Sequence, residues 1–154
     1  MRKTLFLLAV GVVIGLGAVG PSARARLAVQ ADFSGTWVVV SGTGAANSPL
    51  GAEGTIAQDA SSLTFSTGGR SLRYHLDGSE SRNDAGTSTQ ISQARWITKA
   101  VLITTTTHSA AGQWEDAAIC SLDAAGHLNV VTVNALKWPE DAMGTRLLVY
   151  QKKN

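Results

Sequence analysis

The stretch that decides the fold is Gly68-Gly69-Arg70-Ser71-Leu72-Arg73-Tyr74-His75-Leu76-Asp77-Gly78. Leu72, Tyr74 and Leu76 alternate with Ser71, Arg73 and His75, the period-two pattern of a strand with one buried face. A Gly-Gly pair breaks the chain before this run and Asp-Gly ends it, both turn signals. Working outward from run 71–76, similar short runs stand at 36–41, 54–58, 63–66, 87–96, 101–108, 113–122, 127–136 and 145–152. Thr104 to Thr107 are four consecutive β-branched residues, which suit a strand and not a helix interior. Asp123-Ala124-Ala125-Gly126 makes a turn between two of the runs.

Three connections, 42–53, 78–86 and 137–144, are longer and rich in Gly, Ala, Asn, Ser and acidic residues. They are expected to be mobile surface loops, with Glu80, Arg82 and Asp84 as solvated charges. Links elsewhere are of hairpin length, so the strands are expected to run up and down. Short antiparallel strands must hide their edges, and closing into a barrel does so. The expectation is an all-β, single-domain, antiparallel up-and-down barrel of about eight to nine strands.

The N-terminus reads as an address. Arg2 and Lys3 precede a charge-free apolar run over 5–20, and Ala23 and Ala25 form an A-x-A cleavage pattern. Residues 1–25 are therefore expected to be a helical signal peptide cut after Ala25, with Ala31 as an alternative cut, leaving 26–154 as the folded domain. The whole chain carries 13 Lys+Arg against 11 Asp+Glu, a formal charge of +2. Loss of Arg2, Lys3 and Arg24 leaves 10 basic residues against 11 acidic ones, which removes the case for a nucleic-acid partner. The expected destination is the periplasm or the medium, with no stable membrane insertion once the signal is gone. Ser and Thr total 27 in residues 26–154, against eight Lys and Glu, a balance that argues against a helical bundle.

Asp32-Phe33-Ser34-Gly35-Thr36-Trp37 opens the first strand, and Tyr150-Gln151-Lys152 closes the last. A G-x-W on the first strand with a cation on the last resembles the signature of lipocalins and their calycin relatives. More closely, the chain resembles small exported lipocalin-like proteins of bacteria, mostly of unassigned function. Ile56-Ala57-Gln58, Tyr74-His75-Leu76-Asp77-Gly78-Ser79-Glu80 and Arg95-Trp96 carry the same resemblance. It implies a lipocalin-like barrel. The turn after Arg95-Trp96 is Ile97-Thr98-Lys99, without the Asp-Gly pair of the pattern. If first and last strands pair antiparallel, Trp37 falls opposite Lys152 and Arg146 opposite position 43. Lys152, not Arg146, is then the cation that packs on Trp37.

Catalytic motifs are sparse. The single cysteine, Cys120, excludes an internal disulfide and any C-x-x-C site, and its apolar neighbours make it a packing residue. His75, His108 and His127 have no partner at metal-ligand spacing, so neither a metal nor a cofactor is expected. Glu115 and Asp116 are adjacent on a strand and point to opposite faces, so they cannot form a dyad. Tyr74, Trp96 and Trp114 are the candidate walls of a site for a small, partly apolar ligand. The rival readings are a barrel enzyme with His75 or His108 as acid/base, and an interaction or inhibitor module with a filled barrel.

Overall fold

The computed structural model describes residues 30–45, 48–135 and 144–154. The apolar run 5–20 and the cleavage position Ala25 lie outside them. Ten strands follow in chain order: β1 (Gly35–Ser41), β2 (Glu53–Gln58), β3 (Ser62–Thr67), β4 (Arg70–His75), β5 (Asp77–Ala85), β6 (Ser88–Ile97), β7 (Ala100–Ser109), β8 (Gly112–Leu122), β9 (Leu128–Ala135) and β10 (Gly144–Lys152). All pair antiparallel in one sheet of order β4-β3-β2-β1-β10-β9-β8-β7-β6-β5. The result is an up-and-down, nearly closed barrel. Inward positions alternate with outward ones along each strand, and the inward set forms one apolar cluster that includes Trp37, Ile56, Phe65, Leu72, Ile103, Leu128 and Tyr150.

The strand count corrects the expected eight to nine. Stretch 78–86, expected to be a loop, lies almost wholly in strand β5. Its inward residues are Ser81 and Asn83, so no apolar alternation marks it in the sequence. Those two residues also explain why the barrel is only nearly closed. β4 and β5 are the ends of the sheet and share no backbone ladder. Asn83 Oδ1 accepts the Arg73 N–H at 2.8 Å, and Asn83 Nδ2 donates to the Arg73 carbonyl at 2.9 Å. Ser81 Oγ accepts the His75 N–H at 2.8 Å. Side chains thus supply the rungs that backbone supplies elsewhere, and edge groups of β4 that would otherwise be orphaned are satisfied.

β1 and β10 pair with Trp37 opposite Lys152, until a bulge at Val40 shifts the register to Ser41 opposite Val149. Lys152 Nζ stands 5.9 Å from the Trp37 ring centroid, and its stem crosses Gly35. A Cβ at Gly35 would run into that stem, and the residue's φ of +138° is itself a glycine conformation. The chain before β1 closes this end of the barrel. Trp37 Nε1 donates to the Phe33 carbonyl at 2.8 Å. Gln58 clamps the same segment, accepting from Phe33 N and donating to the Ala31 carbonyl, both at 2.9 Å.

Connection 42–53 also departs from expectation. In its described part, Ser48 and Leu50 are buried. The Tyr150 hydroxyl donates to the Gly51 carbonyl at 2.8 Å and shares a hydrogen bond with Ser48 Oγ at 2.9 Å. The loop turns inward because Leu50 has a place in the core and Ser48 a polar partner there. The turn Thr98-Lys99 forms without Asp-Gly, Thr98 taking the positive φ of 60° itself.

Two outcomes test this architecture. Replacing Asn83 by Ala leaves the N–H and C=O of Arg73 without partners and should cost about 2 kcal/mol in urea unfolding. Amide exchange at Arg73 should accelerate in that variant while β7 and β8 keep their protection; unchanged exchange would mean that the seam does not need Asn83. The second outcome concerns acid. Asp59, Asp77, Asp32 and Asp123 each accept hydrogen bonds from nearby residues in tight turns, and these bonds hold their carboxyls below the usual range. A depressed pKa means that the unfolded chain binds the proton first, so this stabilisation is complete above about pH 5 and is lost progressively as pH falls through the unfolded and then the folded pKa. The urea midpoint should drop between pH 4.5 and 2.5, and Asp59→Asn should make that drop shallower.

Candidate functional site

Five rungs of inward positions run across the wall formed by β6 to β10. Nearest the end closed by Phe33 is Leu122-Leu128-Tyr150, then Trp96-Val101-Cys120-Val130-Leu148, and next comes Ala94-Ile103-Ala118-Thr132-Arg146. Above it stands Ser92-Thr105-Asp116-Asn134-Gly144, and then Gln90-Thr107-Trp114. The gradient is plain: bulky apolar residues at the closed end, small ones at Ala94, Ala118 and Ser92, then polar groups. Small side chains opposite one another leave an interior that a barrel of this width would otherwise fill.

A cavity of about 420 Å³ occupies that space. Leu72, Tyr74, Ile103 and Ala118 give it apolar walls, while Gln90, Thr105, Asp116, Thr132 and Asn134 give it hydrogen-bonding groups. Trp114, Arg70 and the inward-turned Ser48-Pro49 complete the lining. The lining is more polar than apolar, a mixture that suits a small molecule with both hydrogen-bonding groups and an apolar body.

The three aromatic candidates part company here. Tyr74 and Trp114 line the cavity. Trp96 does not; it stacks on Phe33 at the closed end, with centroids 5.8 Å apart and planes 14° apart. Tyr74 also packs edge-on against Phe65 at 5.4 Å, which fixes its ring, and burial pushes its phenol above the usual range.

Asp116 is the residue that sequence reasoning passed over. Glu115 points to solvent and Asp116 into the barrel, half-buried between Thr105 and Asn134 on the neighbouring strands. Burial raises its carboxyl above the usual range, opposed by a hydrogen bond from the Trp114 side chain. Among the described residues it has no ion-pair partner; the salt bridges there are His127–Asp123 and Lys153–Glu53. Ladder parity was the available signal: two steps back along the strand from buried Cys120 and Ala118 lands on Asp116.

Other candidates stand apart from the cavity. His75 and His108 occupy outward positions on β4 and β7, and His127 sits in the β8–β9 turn with Nδ1 3.1 Å from Asp123 Oδ2. Cys120 is fully buried, and burial pushes its thiol up to about 12, far from a reactive thiolate. Arg146 shares the inward face of β10, but its guanidinium lies against Gly44 and not on the cavity wall. Among the described residues no three His, Cys, Asp or Glu side chains gather in a way that could hold a metal. A second depression of about 440 Å³ lies on the outer wall, lined by the outward residues Glu80, Ile91, Thr104, Glu115 and Val133 and bounded also by Thr105 and Asp116 of the strands that separate it from the interior. Comparison with known proteins adds nothing to this geometry: no protein-family model and no curated protein matches the chain.

Proposed function

We propose that this protein is an exported, lipocalin-like barrel that binds a small, partly apolar molecule in its interior. One observation carries the reading: the cavity of about 420 Å³ with Tyr74 and Trp114 in its walls. Binding rests on burial of the ligand's apolar body against Leu72, Tyr74, Ile103 and Trp114, which yields about 25 cal/mol for each Å² removed from water. Polar groups at Gln90, Thr105 and Asn134 then select for orientation, because an unpaired buried donor or acceptor costs more than a pair gains. The alternative of acid/base catalysis by His75 or His108 lacks support, since neither side chain lines the cavity. A filled-barrel interaction module would need a solid interior, and the small residues Ala94 and Ala118 work against one.

The test is to fill the cavity. Ala118→Phe places a ring in the space that the small inward side chains leave. Native mass spectrometry of protein purified from its own host should show a bound mass of a few hundred daltons on the unaltered chain and none on the variant. The uncharged probe 2-(1-naphthyl)ethanol should bind the unaltered chain and lose at least tenfold in affinity on the variant. Equal binding to both chains would contradict the reading.

A further inference from the structure

The interior carries a charge that the fold does not use. Inward positions of this barrel are apolar or neutral almost everywhere, yet Asp116 is inward, half-buried and part of the cavity wall. A carboxylate placed against apolar walls is costly unless something compensates it. The one aid beside it is the Trp114 side chain, and the turn caps that hold the other aspartates are absent at this position. The turn aspartates Asp59, Asp77 and Asp123 accept hydrogen bonds from the backbone N–H groups of their own turns. Asp116 caps no turn and lies mid-strand, where the ladder already takes the backbone groups on both sides.

We propose that Asp116 is the recognition residue of the cavity and that the ligand is a small amine, its protonated nitrogen on the Asp116 carboxylate and its apolar body among Leu72, Tyr74, Ile103 and Trp114. This rests on the reading of the cavity as a ligand site and names the class of molecule it takes. The surroundings fit a cation. Thr105 and Asn134 flank the carboxylate on the adjacent strands and offer oxygen acceptors to the remaining N–H groups of an ammonium. The faces of Tyr74 and Trp114 favour positive charge through their quadrupoles. Arg70 is the one competing charge on the cavity wall. It stands at the start of β4 with its side chain exposed to solvent, where water and salt screen it, while the half-buried carboxylate keeps more of its field. An anionic ligand would have to place its charge at the rim and its body against Asp116, which gains least and costs most.

Calorimetry on the full chain at pH 7, with three probes of one shape, tests the assignment: 2-(1-naphthyl)ethylamine, 2-(1-naphthyl)ethanol and 1-naphthylacetate. The amine should bind at least tenfold more tightly than the alcohol, and the acetate more weakly than both. Asp116→Asn should bring the amine down to the affinity of the alcohol and leave the alcohol within about twofold. Its thermal midpoint at pH 7 should equal or exceed that of the unaltered chain, since a half-buried charge has gone, and this shows that the variant is folded. Glu115→Gln, one residue away on the outer face, should leave the amine unaffected. Alcohol or acetate binding as tightly as amine, an amine preference that survives Asp116→Asn, or a loss caused by Glu115→Gln would each overturn the assignment of Asp116 while leaving the cavity a ligand site. Failure of all three probes to bind would overturn the ligand-site reading together with the assignment.

Discussion

Closing a ten-stranded sheet on itself is the constraint from which the rest of the structure follows, and the chain meets it by two different means. At β1 and β10 it uses backbone pairing, with Trp37 under the stem of Lys152 and Gly35 giving that stem room. At β4 and β5 the edges stay apart, and Asn83 and Ser81 reach across to the backbone of Arg73 and His75. The first seam is backbone ladder, interrupted only by the bulge at Val40, over a buried tryptophan. The second depends on three side-chain hydrogen bonds, each a modest contribution singly but expensive to leave unmade. The barrel is therefore weakest along one line of its wall.

The two ends differ for a related reason. Phe33, held by Gln58 and by Trp37, stacks on Trp96 and fills the barrel where its inward residues are largest. Higher up, Ala94, Ala118 and Ser92 face inward and the lining turns polar, with Trp114 the bulky residue of the uppermost rung. A packed apolar core at one end and a polar cavity at the other divide the interior. Loop residues Ser48 and Pro49 form part of the cavity's lining, and the hydrogen bond from Tyr150 to Ser48 couples the last strand to it.

Most of the strands could be read from alternation and turn residues, since Leu72, Tyr74 and Leu76 or Val101 and Ile103 show their burial in their chemistry. β5 could not, because Ser81 and Asn83 are buried by hydrogen bonding and look like loop residues in a list. The cavity was legible only in part. Tyr74 and Trp114 are aromatic and inward by parity, and both line it. Trp96 has the same character but sits three rungs nearer the closed end, where Phe33 covers it; no local pattern distinguishes the two tryptophans. Asp116 is visible in the sequence only as a carboxylate that cannot pair with Glu115; its inward direction follows from the burial of Ala118 and Cys120 two and four residues on.

The claim at the centre of this account is that the polar upper half of the barrel interior is where a ligand sits. A crystal structure of the chain with 2-(1-naphthyl)ethylamine tests it most directly. The account predicts the naphthyl ring among Leu72, Tyr74 and Trp114, with the ammonium nitrogen about 3 Å from an Asp116 carboxylate oxygen. A probe seated on the outer wall beside Glu80 and Glu115, with the interior unchanged, would contradict it.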